Sequence, residues 1–177
     1  MYLFGGQSKT VENTDKLMVF DFNTQRWDEI NPVQKDPVPR IDSHEALLWN
    51  KGHGKASMIV VGGLIGGKDG GYSNAVYEYD LINNEWSALF KLQEVSNEDN
   101  PNPVLPQGRM GLGAAIHQDI LYVFGGNEGN TKLNDLWKFD LNAKQWSLVK
   151  STGYISPEVT ISLLCDFNSF RQEMGIH

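Results

Sequence analysis

The stretch ILYVFGG at 120–126, followed by NDLWKFDLNAKQWSLV at 134–149, decides the fold of this 177-residue chain. Its first part is a short run of β-branched and aromatic residues that ends in two glycines. Its second part alternates apolar and polar residues, passes an Asn-containing turn and reaches a tryptophan. These patterns are typical of short strands joined by turns, so the stretch predicts three consecutive β-strands.

The same order of residues occurs twice more, earlier in the chain. SMIVVGG at 57–63 precedes NAVYEYDLINNEWSAL at 74–89, and MYLFGG at 1–6 precedes KLMVFDFNTQRWDEI at 16–30. In each copy a tryptophan follows an aspartate by six residues, and these aspartates are 59 and 60 residues apart. Three copies in one order identify an internal repeat. HEALLW and GLGAAIH, upstream of the second and third copies, supply a fourth strand for those two units.

The repeat resembles the kelch motif. The double glycines, the aromatic-Asp-apolar triplets and the spaced tryptophans match it, and Pro39-Arg40 and the run 106–109 resemble its Pro-x-Arg element. The resemblance implies an all-β fold, a kelch-type β-propeller fragment of about three four-stranded antiparallel blades, offset by one strand. The residues that carry the structural motif are Gly5, Gly6, Trp27, Gly62, Gly63, Trp86, Gly125, Gly126 and Trp146.

Two physical expectations follow for these motif residues. A double glycine lets the chain leave a strand sharply, close to other backbone, where a side chain would clash. Each tryptophan is expected to be a large plate buried between neighbouring blades, with its indole N–H bonded to a partner.

The repeat also predicts how the chain is divided. We expect kelch repeats over 1–150, with a partial blade at 1–30 and blades at 39–89 and 106–149. Residues 151–177 either begin a further blade or form an irregular C-terminal tail.

Propellers close with about four to eight blades, so about three blades leave two open edges. Three explanations are open. The favoured one is that the chain is a fragment of a longer propeller. Alternatively, two copies form a six-bladed ring, in which 159–165 of one copy completes the first blade of the other, or another protein caps the edges.

Charge and composition exclude several classes of partner. The formal net charge is −7 and no cluster of Lys and Arg stands out, which argues against nucleic acid and anionic membranes. No apolar stretch approaches the length of a membrane helix. The single cysteine excludes an intrachain disulfide, and the N-terminal residues do not resemble a secretory signal. We therefore expect a cytoplasmic protein, with association with the cytoskeleton as an option.

The sequence offers little for catalysis. GGLIGGKD at 62–69 is close to a phosphate-binding loop, but Asp69 stands where such loops need Ser or Thr. The histidines are not at metal-ligand spacings and are expected on the surface. Cys165 lies in the irregular last segment, so the Tyr–Cys copper site of some kelch-like oxidases is not implied. We expect no enzyme, no catalytic residue, no metal and no cofactor.

The resemblance instead favours a non-catalytic protein-binding or scaffold module of the adaptor type. The loops after the double glycines (7–15, 65–74 and 127–134) are expected to share one face with the long segments 31–40 and 91–109. The candidate partner-binding residues are Arg40, Arg109, Lys68, Asp69, Tyr72, Asn127 and Glu128.

Arg40 and Arg109 allow two interpretations, a structural ion pair with an acid of a neighbouring blade or a contact with an acidic peptide at the channel mouth. Two alternatives to the binding module are a structural subunit of a large cytoskeletal assembly and, less favoured, a kelch-like enzyme with its site at the channel mouth.

Overall fold

The computed structural model describes residues 1–9, 12–67, 70–91 and 105–150. Within these ranges every element of regular secondary structure is a β-strand, which confirms the predicted all-β class. None of the described residues forms a helix long and apolar enough to cross a bilayer. The segment 151–177, where a further blade or a tail was predicted, lies outside the described residues.

The strands are short and are joined by turns and loops. In chain order they are β1 (Tyr2–Phe4), β2 (Leu17–Asp21), β3 (Arg26–Ile30), β4 (Val33–Gln34), β5 (Ile41–Asp42), β6 (Glu45–Gly52), β7 (Lys55–Val61), β8 (Leu64–Ile65), β9 (Val76–Asp80), β10 (Glu85–Phe90), β11 (Gly113–His117), β12 (Ile120–Phe124), β13 (Asn127–Glu128), β14 (Thr131–Lys132), β15 (Leu136–Asp140) and β16 (Gln145–Leu148).

Three of the sheets are the blades of a partial β-propeller. Blade 1 has the strand order β1-β2-β3, blade 2 the order β4-β10-β9-β7-β6, and blade 3 the order β11-β12-β15-β16. The predicted fourth strands are present as β6 and β11, each paired antiparallel with the next strand of its blade. The described part of blade 1 has three strands, as expected for a chain offset by one strand.

Strand β4 is a feature that the repeat pattern did not predict. The chain leaves blade 1 and pairs parallel with β10, with Val33 opposite Glu85 and Gln34 opposite Trp86. An ion pair of 2.5 Å between Lys35 and Glu85 lies beside this contact. The outer edge of blade 2 is therefore covered by the chain segment that connects it to blade 1.

The aspartate of each aromatic-Asp triplet closes the turn before the last strand of its blade. One Oδ1 atom accepts hydrogen bonds from the backbone N–H groups two and three residues further on, at 2.7–3.1 Å, in all three blades. The residue four positions after each aspartate has a positive φ, near +55°. This explains the aspartate in the repeat, since its carboxylate replaces the missing backbone partners of a tight turn. The aspartates are Asp21, Asp80 and Asp140.

The tryptophans of blades 2 and 3 pack against the blade that precedes them in the chain. Trp86 is 1% exposed, and its ring centroid lies 4.8 Å from that of Phe4 in blade 1. Trp146 is also buried, with its ring centroid 6.4 Å from that of Phe90 in blade 2. Removing these large rings from water stabilises the two contacts between blades.

Two expectations for the tryptophans were wrong. Trp27 is 44% exposed, although it stands opposite Phe20 as Trp86 stands opposite Tyr79. The reason is that Trp27 lies on the side of blade 1 where the described residues place no other blade. Trp146 also lacks the expected partner, because its buried Nε1 has no hydrogen bond within the described ranges.

The different burial of Trp86 and Trp27 predicts different losses of stability when each is replaced by alanine. Trp86→Ala should lower the free energy of unfolding by about 3–5 kcal/mol, because it leaves a cavity between blades 1 and 2. Trp27→Ala, the matched control, should cost less than about 1.5 kcal/mol, since its ring is partly in water. Urea unfolding followed by circular dichroism measures both. Equal losses would contradict the proposed role of Trp86.

Candidate functional site

The two ends of the blades differ in how the chain crosses between strands. At one end, here called the turn face, tight turns join neighbouring strands. At the other end, here called the glycine face, lie the loops after the double glycines and the connections between blades. The described parts of the glycine face are 5–9, 12–16, 37–44, 62–67, 70–75, 105–112 and 125–135. The expected place of segment 31–40 on this face is corrected for its first residues, because Asn31 and Val33 bond to Asn84 in a tight turn of the turn face.

The second glycine of each pair allows a close approach of backbone. Gly63 has a φ of +101°, and a Cβ placed on it would lie 2.7 Å from the carbonyl oxygen of Asp42. Gly126 has a φ of +89°, and a Cβ there would lie 2.7 Å from the carbonyl oxygen of Met110. In both blades the nearby carbonyl belongs to the connection that enters the blade, so a side chain would push that connection away.

Backbone hydrogen bonds then join the loops of successive blades. Gly6 N–H donates to the carbonyl of Ile41 at 2.8 Å, and Gly63 N–H donates to the carbonyl of Arg109 at 2.7 Å. The connections also bond to one another, because Gly111 N–H donates to the carbonyl of Ser43 at 2.9 Å. The glycine face is therefore one cross-linked frame across the three blades.

Arg109 is used inside this frame. Its side chain is 2% exposed, and two of its nitrogens bond to the two carboxylate oxygens of Asp135 at 2.6 and 2.9 Å. Nη1 also donates to the carbonyl of Gly125, and Nε to the carbonyl of Gln107, each at 3.0 Å. Of the two roles that the sequence left open, the structure shows an ion pair, although its acid belongs to the same blade. The expected partner-binding role of Arg109 is corrected accordingly.

The titration of Asp135 fits this pairing. Burial alone would raise the pKa of its carboxyl, but the bonds from Arg109 and from the indole of Trp137 hold the pKa below the ordinary value of 3.8. The pair is therefore charged at neutral pH. Removing either partner would leave a buried charge unpaired, at a cost of about 3 kcal/mol or more.

Arg40 is placed differently. Its side chain is 64% exposed, and its Nε lies 4.0 Å from Oδ1 of Asp15 in the loop of blade 1. An exposed pair at this distance contributes at most about 1 kcal/mol. The backbone carbonyl of Arg40 accepts a hydrogen bond of 2.9 Å from Gly66 N–H, which holds the residue beside the loop of blade 2. The guanidinium is thus exposed to solvent and, among the described residues, held only by this weak ion pair.

Three further candidates lie close together where blades 2 and 3 meet. The half-buried Tyr72 places its hydroxyl beside Gly129, 3.8 Å from the position that a Cβ would take there. Gly129 lies in the turn of the hairpin β13-β14, which begins with Asn127 and Glu128. Both of those residues are partly exposed. Lys68 and Asp69 lie outside the described residues, as does most of the segment 91–109.

His44 is a residue that the sequence placed wrongly. It was expected on the surface, but its Nδ1 is buried without a hydrogen-bond partner in the described ranges. Its ring packs edge-on against Phe4, with centroids 5.6 Å apart. Burial lowers the pKa of His44 below 6.5, while Asp42 and a backbone hydrogen bond with Phe4 act in the opposite direction. The glycine face thus holds a neutral histidine between blades 1 and 2.

This histidine predicts a pH dependence of stability. A lowered pKa in the folded state means that the unfolded chain binds the proton more tightly, so stability falls as the pH drops below about 6.5. Urea unfolding at pH 7.5 and 5.5 should show this loss, and His44→Asn should reduce it. His53→Asn, in a tight turn of the turn face, is the control and should leave the loss unchanged. A loss of the same size in His44→Asn would show that another group titrates.

The part of the chain that the structure describes holds no group of three His, Cys, Asp or Glu side chains placed to bind a metal.

Sequence reasoning also missed a polar cleft on the turn face, built around Trp49, Lys51 and Glu78. The signal that could have found it is Glu78 itself, a charged residue at a position of β9 where the first copy of the repeat has Val19.

Comparison with known proteins agrees with this architecture. The model of the KLHDC2/KLHL20/DRC7 Kelch-repeats domain matches residues 1–165. Leucine-zipper-like transcriptional regulator 1 of Homo sapiens is 30% identical over 161 residues, which cover 89% of this chain and 18% of that protein. Kelch domain-containing protein 10 of Homo sapiens is 26% identical over 155 residues, covering 86% of this chain and 32% of that protein.

Tip elongation aberrant protein 3 of Schizosaccharomyces pombe is 25% identical over 177 residues, covering 86% of this chain and 15% of that protein. The chain thus spans less than a third of the length of each of these relatives. The match to the family model extends over nearly the whole chain, and the repeated glycines, aspartates and tryptophans have the structural roles described above. The chain belongs to the kelch-repeat family.

Proposed function

We propose that this chain is a non-catalytic protein-binding module, of the scaffold or adaptor type, that contacts a partner polypeptide through its glycine face. Kelch-repeat domains are in general protein-interaction modules without catalytic activity. One observation carries the proposal. The backbone bonds between blades fix the loops of the glycine face as a frame, while the side chain of Arg40 remains 64% exposed on it.

The candidate contacts follow from this geometry. Arg40 offers a positive charge for an acidic group of the partner. Tyr72 offers a flat, partly apolar surface with a hydroxyl, of the kind that often dominates protein interfaces. Asn127 and Glu128 add hydrogen-bonding groups beside it. Lys68 and Asp69, in the same loop as Tyr72, remain candidates. Arg109 is left out because it is buried.

Affinity capture from native cells tests this assignment. The variant Arg40→Glu/Tyr72→Ala/Glu128→Lys should lose the main polypeptides that the wild-type chain captures, because it reverses two charges and removes the aromatic surface. The control Asn23→Ala/Lys55→Glu changes the turn face and should capture them normally. Identical capture by the first variant and the wild type, or loss in both variants, would refute a binding role for the glycine face.

A second candidate is a structural subunit of a larger assembly, in the cytoplasm or on the cytoskeleton. The observation that favours it is the exposed apolar side of blade 1. Leu3, Phe22 and Trp27 are all exposed there, whereas the equivalent Val123, Leu141 and Trp146 of blade 3 are buried against blade 2. A second copy of this chain, or another chain with such blades, could cover that side and complete the propeller.

Light scattering of the purified chain distinguishes these arrangements. If the side of blade 1 mediates self-association, the wild-type mass should exceed that of one 19.9 kDa chain, and Trp27→Glu should return it to that value. Val33→Glu is the control, because Val33 is an exposed apolar residue of β4 outside that side. This variant should keep the mass of the wild type. A mass of one chain with cooperative unfolding would refute self-association.

A further inference from the structure

A cleft on the turn face, between blades 2 and 3, is separate from the proposed binding face. It has a volume of about 370 Å³ and is open to solvent. Its wall in blade 2 includes Trp49, Lys51 and Glu78, and its wall in blade 3 includes Asp119 and Lys144. Acidic and basic groups therefore face the same space, next to an aromatic ring.

A lysine of the chain itself occupies this space. The Nζ of Lys51 lies 4.7 Å from the centroid of the Trp49 ring and contacts Oε1 of Glu78. Glu78 is only 9% exposed, and its Oε1 also accepts a 2.7 Å hydrogen bond from the hydroxyl of Ser57. An aromatic face beside a buried carboxylate is the arrangement that binds an ammonium or a guanidinium group.

The Trp49 ring is held in place from the next blade. Its Nε1 donates a 2.7 Å hydrogen bond to Oδ1 of Asp119, which lies in the turn between β11 and β12. The other oxygen of that carboxylate accepts a 3.4 Å bond from Nδ2 of Asn142. The aromatic wall of the cleft is thus positioned before any ligand arrives.

The kelch repeat does not require these side chains. The register of blade 3 places Ile120 where blade 2 has Ser57, and Lys138 where it has Glu78. His117, paired with Ile120, corresponds to Trp49, which pairs with Ser57. Taking a carboxylate and its partner out of water costs free energy that their pairing need not recover, so stability alone gives no reason for Glu78 at this position of blade 2.

We propose that this cleft binds a single basic side chain, lysine or arginine, of a partner polypeptide, and that Lys51 occupies it in the free protein. The incoming cation lies on the Trp49 face and pairs with Glu78. Lys51, a flexible side chain at an open cleft, moves out to solvent.

The rim of the cleft favours a ligand that carries a single positive charge. Lys144 adds a positive charge at the edge, so a polybasic segment is repelled there. A basic residue next to a carboxylate in the partner fits better, because the carboxylate can approach Lys144. The net charge of −7 favours the approach of a basic group in general.

Titration of the ¹⁵N-labelled chain with Nα-acetyl-lysine N-methylamide tests the proposal, with the indole N–H resonance of Trp49 as the readout. The resonance is assigned by its loss in Trp49→Phe. In the Lys51→Met variant, the Trp49 resonance should shift as the probe is added until the cleft is saturated. This variant should bind the probe about tenfold more tightly than the wild type, if Lys51 fills the cleft in about nine molecules of ten. Lys51→Gln, which keeps a donor for Glu78 without the charge, is the second variant in case Lys51→Met does not fold.

Three comparisons make the result decisive. The Nε-acetylated form of the probe, which is neutral, should give no saturable shift. Lys51→Met/Glu78→Gln should lose the binding, and Lys132→Met, on the glycine face, should behave as the wild type. A folded Lys51 variant whose Trp49 resonance does not respond to the probe, or responds equally to the neutral form, would overturn the proposal.

Discussion

The close approach of one connection to the double glycine of its blade is the constraint on which the arrangement of the blades depends. Where Gly63 stands, the carbonyl of Asp42 occupies the space of a side chain, and where Gly126 stands, the carbonyl of Met110 does. This contact brings strand ends and connections within hydrogen-bond distance, and the bonds of Gly6 and Gly63 to the next connection repeat from blade to blade. The blades are therefore joined by backbone at the glycine face and by tryptophan packing between the sheets.

The same constraint shows where neighbours are missing. A Cβ on Gly6, the counterpart of Gly63 and Gly126, would meet nothing within 4 Å. Trp27, the counterpart of Trp86 and Trp146, is the exposed member of its set. Within the described part of the chain, no backbone fills the space beside the Cα of Gly6 and no blade covers the ring of Trp27. One side of blade 1 is thus shaped as a contact between blades.

The sequence predicted the elements that repeat and missed those that occur once. Aspartate, glycine and tryptophan at fixed spacing predicted the strands and their turns, because each of these residues has a local physical role. Strand β4 was missed, since two residues pairing parallel with a distant strand leave no periodic pattern. The burial of His44 and the pairing of Arg109 with Asp135 were missed or left open, because both depend on contacts between segments far apart in the chain.

Strand β4 has a consequence for aggregation. An uncovered outer strand offers free backbone groups to other molecules, and the three blades meet this hazard in different ways. The outer strand β10 of blade 2 is capped by the chain itself. The outer strand β3 of blade 1 has Arg26, Asp28 and Glu29 among its five residues. These charged side chains keep the edge hydrated and disfavour its pairing with another strand. The outer strand β16 of blade 3, QWSL, carries no charge, so among the three outer strands its side chains do least to disfavour pairing with another strand.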